Sequence, residues 1–211
     1  MKTPTRQRLV EAAIRRFYRD GFRNVGIDQI LADVDISKTA FYKHFECKED
    51  LMLAALESQN AWAQHIFQSM IRDRGGPTPL GQLHAVFDVV EHIIESDDFH
   101  GCIFVNASME FPLPHEPAHK LAAQSKQAIE DVIHNLALEA AAINPRALAQ
   151  ELCLIMEGAY VTRVVTANRT TIDLARGIAN LIIAAHCSAD REGEAPADPH
   201  LPTATRLATL A

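Results

Sequence analysis

Apolar residues recur three and four positions apart along most of this chain, the spacing that lays one greasy stripe along a helix. Leu9, Ala13 and Phe17, flanked by Val10 and Ile14, predict a first helix that ends at Asp20-Gly21. Thr3 as cap with Pro4 in the first turn, or Thr5 as cap, would start it. Ile27, Ile30, Leu31 and Val34 predict a short helix over 28–34, Asp35-Ile36 a turn, and Ser37 the cap of a second short helix over 37–45. A long helix is expected from Lys48 toward Arg72, broken by Gly75-Gly76-Pro77-Thr78-Pro79. Further helices are predicted over 80–96, with Leu83, Phe87, Val90 and Ile94 inward, and over 102–110, 118–141, 145–168 and 171–187. The prolines between Phe111 and Pro117 interrupt that series. The prediction is an all-α protein of about nine helices. Three segments follow: residues 1–47, residues 48–187, and an Ala/Pro/Thr-rich tail over 188–211 without a stripe.

The helix over 37–45 has two unlike sides. At about 100° per residue, Lys38, Thr39, Tyr42 and Lys43 share one side, while Ala40, Phe41 and Phe45 occupy the other with His44 near its edge. A side with cations, a hydroxyl and a phenol but no carboxylate suits the major groove of DNA. It equally suits the solvated face of an ordinary helical hairpin. Charge separates these readings. The chain of 211 residues carries −7 overall, yet residues 1–48 hold ten Lys/Arg against six acids and the remainder ten against twenty-one. A basic head on an acidic body confines the attraction for phosphate to the head. No apolar run approaches the ~20 residues of a membrane span, and no basic-then-apolar leader opens the chain, so a cytoplasmic protein is expected. Cys47, Cys102, Cys153 and Cys187 show no metal-type spacing and read as free thiols.

Arg6-Gln7-Arg8-Leu9, Phe17, Gly21-Phe22, Ile27 to Ala32, Ile36-Ser37-Lys38, Phe41 to Phe45 and Lys48 to Leu51 together resemble the DNA-binding domain of the tetracycline-repressor (TetR) family. The resemblance covers roughly residues 5–56. It implies a helix-turn-helix domain presented twice by a homodimer that pairs through its last two helices, double-stranded DNA with a palindromic operator as partner, and release by a small-molecule effector. The contact set it implies is Arg6, Gly26, Ser37, Lys38, Thr39, Tyr42, Lys43, His44 and Lys48. Arg8, Arg15, Arg16 and Arg19 could also touch phosphate, though solvation is the expectation for each. Three positions depart from the family pattern. Gly26 replaces a Thr or Ser that caps and meets phosphate, leaving only a backbone N–H there. Asp35 stands where the turn has Gly, and Cys47 where a Ser or Asn caps the next helix.

The effector pocket implied between the central helices draws its candidates from Trp62, His65, Phe87, Cys102, Asn106, Met109, Glu110, Met156 and Tyr160. Aromatic groups with a few polar ones fit a moderately polar organic ligand. His84 and His92 with Glu91 and Glu95, or His115 with His119, raise a metal-sensing alternative that needs three or four converging ligands. Cys47, at a helix start beside Lys48, raises a redox alternative, with Cys102 a second candidate. No nucleophile motif, paired-carboxylate signature or phosphate loop points to an enzyme, and no cofactor is implied.

Overall fold

The computed structural model describes residues 3–187, and the expected tail lies outside them. Nine helices and no strand occur among the described residues: α1 (Thr5–Asp20), α2 (Ile27–Val34), α3 (Lys38–Phe41), α4 (Lys48–Gly75), α5 (Pro79–Ile94), α6 (Ile103–Glu110), α7 (Pro117–Glu139), α8 (Pro145–Thr166) and α9 (Thr171–Cys187). The all-α expectation is borne out. No described helix is long and apolar enough to cross a membrane.

Local chemistry sets most boundaries. Pro79, Pro117 and Pro145 each occupy a first turn, where a missing N–H costs nothing. The α5 and α7 starts therefore fall one residue earlier than the stripe predicted. Thr78 Oγ1 accepts from the Gly81 N–H (3.2 Å), and Asn144 Oδ1 from the Ala147 N–H (3.1 Å). The start of α1 is a correction: Pro4 holds the cap position itself, and no side chain caps the helix there. At the end of α2, Asp35 adopts the left-handed conformation (φ 50°), and the Ile36 N–H closes on Leu31 O at 3.1 Å. Asp tolerates this conformation better than most side chains, so the turn forms without Gly.

Two clusters of apolar side chains organise the helices. The first joins Leu9, Phe17, Phe22, Ile30, Phe41, Phe45 and Leu51 and continues into Ile103, Phe104 and Ala107 of α6 and Ala118 and Ala122 of α7. The second joins the far end of α4 to α5, α7, α8 and α9 through Phe67, Ile71, Phe87, Ile133, Leu152 and Ile183. The long α4 contributes to both. α6 thus belongs to the core of the N-terminal helices although it lies far from them in sequence.

Candidate nucleic-acid interface and effector cavity

Ser37 Oγ accepts from the Ala40 N–H (3.2 Å) and so fixes where α3 begins. Regular α-helix ends at Phe41, shorter than the predicted 37–45, and turns carry the chain through His44. The Phe45 N–H still reaches Phe41 O (3.1 Å), so the expected side is kept. Phe41 and Phe45 stack (5.8 Å between centroids) and anchor the segment inward. Lys38, Thr39, Tyr42, Lys43 and His44 stay exposed on the outside. Among the described residues, no hydrogen bond or ion pair engages the Thr39 and Lys43 side chains. Lys38 Nζ lies 2.9 Å from Asp28 Oδ1, and that hydrogen bond holds the ammonium above its ordinary value. Both groups are exposed, so the pair adds little stability and leaves Lys38 free to exchange partners.

Around α3 the remaining contact candidates have internal partners. Arg6 sits over the Phe45 ring (5.1 Å). Lys48 Nζ donates to Arg23 O (3.3 Å) beside the Phe17 ring, tying α4 to the turn before α2. An ammonium has three donors, so two remain. The Gly26 N–H, expected to face phosphate, instead donates to Gln29 Oε1 (2.8 Å), the reach-back half of a capping box, while the Gln29 N–H donates to the Gly26 backbone carbonyl (3.2 Å). Cys47 holds the α4 cap position but its side chain caps nothing; the Glu46 N–H turns to Asp50 Oδ2 (3.0 Å).

Three of the α1 arginines correct a second expectation, because Arg8, Arg16 and Arg19 are engaged by partners within the protein, whereas Arg15 stays exposed. Arg16 grips Asp33 of α2 through both Nε (2.5 Å) and Nη2 (2.6 Å), and reaches Asp20 at 3.3 Å. Arg19 pairs with the same Asp20 (2.7 Å). The Arg16 hydrogen bond holds Asp33 below the usual carboxylate range, and the Arg19 hydrogen bond, aided by Arg16, takes Asp20 to about 2. Arg8 Nη2 donates to Val34 O. These contacts lock α1 to α2 behind the exposed α3.

A cavity of about 460 Å³ opens between α4, α5, α7 and α8, with largely apolar walls. Of the candidates, Trp62, Cys102, Met156 and Tyr160 line it, together with Ile93, Phe99, Phe104, Ser125, Lys126 and Ile129. Burial pushes the Tyr160 phenol above its ordinary range, keeping it protonated. The other candidates lie elsewhere. Phe87 is 1% exposed within the second core, because its face of α5 meets α7 and α8. His65 points to solvent: Trp62, Ile66 and Met70 line the cavity along a stripe centred on Ile66, and His65, one residue before Ile66, lies about 100° around the helix from it. Met109 is 76% exposed. Asn106 donates to His100 O (3.1 Å) beside a second, more polar groove of about 450 Å³ between α1 and α8.

Glu110 has a different task from the one expected. Its two carboxylate oxygens accept the backbone N–H groups of Phe22 (2.8 Å) and Arg23 (2.7 Å), and Arg23 Nε donates back to Glu110 O (2.9 Å). Gly21 makes room for this grip: it turns at φ 84°, and a Cβ there would stand 3.1 Å from Glu110 Oε1. At the other end of α6, Tyr18 OH donates to Gly101 O (2.8 Å) and accepts from the His100 N–H (2.9 Å). α6 is thus pinned to the N-terminal helices at both ends, and Tyr18, Gly101 and Cys102 also wall the cavity. Sequence reasoning missed Arg23 and Tyr18, whose periodicity carried no signal of a partner on α6 or the loop before it.

The histidine pairs do not converge. His84 Nδ1 meets Asn180 Oδ1 (2.8 Å), and His119 Nδ1 donates to Phe111 O (3.0 Å). Among the described residues, no group of three or more His, Cys, Asp or Glu side chains is placed to hold a metal ion.

An exposed cationic helix-turn-helix, locked from behind and pinned to a helical body around an apolar cavity, defines a DNA-binding regulator. Residues 9–55 match the family model of bacterial regulatory proteins of the tetR family, and residues 79–179 match the tetracyclin repressor-like C-terminal domain. The two matches span well over half of the 211 residues, and the chain belongs to the TetR family of transcriptional regulators. It is similar to the HTH-type transcriptional regulator YjdC of Escherichia coli K12, 23% identical over 182 residues that cover 84% of this chain and 93% of that protein. The HTH-type transcriptional repressor DhaR of Mycobacterium sp. GP1 is 33% identical over 109 residues, 52% of this chain and 53% of that protein. The crystal structure of SCO4454, a TetR-family regulator from Streptomyces coelicolor, superposes with a TM-score of 0.78 at 27% identity, covering 86% of this chain and 95% of that one.

Proposed function

We propose that this protein is a cytoplasmic, homodimeric repressor whose residues 1–47 read a palindromic operator and whose body, residues 48–187, releases it when a small organic effector fills the cavity. The observation that carries this reading is the shared wall: Tyr18 and Gly101 line the cavity and also form the clasp between α1 and the start of α6. A ligand with a differential fit would therefore act directly on the contact that sets the attitude of the head.

On DNA, Thr39 and Lys43 read base edges, Tyr42 touches backbone and base, and Lys38, His44, Arg6 and Lys48 meet phosphate. Ser37 contributes through the position of α3, and Gly26 reaches phosphate only if Gln29 lets go of its N–H. Pairing rests on α8 and α9, which expose Leu154, Val161, Val165, Leu174, Ile178 and Leu181 to solvent in one protomer. Repression is chosen because DhaR, a partial relative, is a repressor. The deciding experiment is a gel shift with the DNA upstream of the protein's own gene. Two protomers should bind one inverted repeat, with loss when either half-site is scrambled. Equal affinity for random DNA at physiological salt would remove the proposal.

A further inference from the structure

One polar cluster in the cavity has no part in DNA binding. Cys102 immediately precedes α6 and touches both apolar cores. Its Sγ lies 3.0 Å from Lys126 Nζ, and Lys126 also donates to Glu157 Oε1. The second carboxylate oxygen, Oε2, is buried with no hydrogen-bond partner. Burial lowers the proton affinity of Lys126, but the facing Cys102 and Glu157 outweigh it and hold the group above its ordinary range as an ammonium. Burial, aided by Glu130 and Glu157, pushes the Cys153 thiol up to about 12, and burial raises Cys187 as well.

An ammonium in contact with a sulfur stabilises negative charge as it develops there, and a thiolate is the reactive nucleophile. The walls around this sulfur are mostly apolar and enclose about 460 Å³, room for an uncharged organic molecule. Peroxide requires no such space and gains nothing from apolar walls. A soft carbon electrophile uses both the volume and the sulfur, and its carbonyl oxygen would find the Lys126 ammonium beside the reacting bond.

We infer that Cys102 is a covalent capture site for α,β-unsaturated carbonyl compounds admitted to the cavity, with Lys126 as its charge partner. The thiol proton passes to solvent, and the sulfur adds to the β-carbon. A C–S bond forms as the C=C π bond opens, and its electron pair moves to the carbonyl oxygen as an enolate. Lys126 donates a proton to the α-carbon and regains one from solvent. The net change is addition of S–H across the double bond, with no leaving group and no oxidant. The adduct separates Cys102 from Lys126 one residue away from Gly101, whose carbonyl holds Tyr18. Capture thereby loosens the clasp on α1 and releases DNA, a consequence that rests on the repressor reading, whereas the capture chemistry does not.

The test uses the full chain with limiting methyl vinyl ketone, followed by intact mass and peptide mapping. The first equivalent should add its whole mass at Cys102. Lys126→Met should slow that addition about tenfold, the equivalent of one pK unit, and Lys126→Arg should restore most of it. Since Lys126→Met leaves Glu157 unpaired, far-UV circular dichroism and thermal melting check its fold, and Lys126→Arg, which keeps the charge, separates loss of the cation from loss of packing. First reaction at Cys47, Cys153 or Cys187, an unslowed Lys126→Met, or a Lys126→Arg slowed as much as Lys126→Met would each overturn the capture site. A gel shift of the adduct reads the consequence separately. Unchanged DNA binding by a Cys102 adduct overturns release alone, and a protein that never bound its upstream DNA overturns the repressor reading while the mass result stands.

Discussion

The N-terminal three helices and the α8–α9 pair dispose of their apolar side chains in opposite ways. Phe17, Phe22 and Phe41 are no more than 1% exposed, and the side of α3 that the head shows to water carries Lys38, Thr39, Tyr42 and Lys43. Leu154, Val165 and Leu181 are 75, 76 and 74% exposed on two adjacent helices. Each exposed apolar Å² forgoes roughly 25 cal/mol, and patches of this kind mark interaction surfaces in folded proteins. The head is complete within one chain and leaves its polar face free for a polyanion. The α8–α9 pair is complete only when something apolar covers it. Net charge alone would have singled out the head and passed over this second surface.

The sharpest way to break this contrast is Leu154→Glu with Leu181→Glu. Placing two carboxylates in an apolar interface should raise the dimer dissociation constant at least about a hundredfold, read by sedimentation equilibrium, while the melting of the monomer barely moves. A dimer that survives would move the pairing surface elsewhere. In the head, Thr39→Ala or Lys43→Ala should cost about 1–3 kcal/mol of discrimination at single base pairs, whereas Lys48→Ala should weaken all sequences alike and flatten the salt slope by about one. Titrations against single-base operator variants at several salt concentrations separate the two outcomes.

Glu110→Ala tests how far the head depends on α6 for its stability. It strips acceptors from the Phe22 and Arg23 N–H groups and should cost about 1–3 kcal/mol of stability, visible in thermal melts. Amide exchange should quicken over residues 21–26 more than over α8. The smallest effect is expected at Asp33→Asn. Arg16 holds the Asp33 carboxyl below its ordinary value, so its contribution is present above the unfolded value of about 3.9 and is lost as pH falls through the folded one. The gap in melting temperature between Asp33→Asn and the unsubstituted protein should therefore be widest near neutrality and close in strongly acidic buffer. A gap independent of pH would mean that the Arg16 ion pair is not its source.

The positions of the helices were legible in the chain because their causes are local. Stripes at three and four residues, prolines that punctuate the helices, Ser37 as a cap, and Asp35 in its turn all act within a few residues of one another. The exposed side of α3 was legible for the same reason, since Phe41 and Phe45 have to point inward. Tertiary structure alone decided which partner each face meets. Glu110 finds the Phe22 N–H across 88 positions, Lys126 finds Cys102 across 24, and Arg16 finds Asp33 across 17. Periodicity states that a side chain points inward or outward but carries no information about what stands opposite. Phe87 therefore went to the core rather than the cavity, and Glu110 became the pin between body and head.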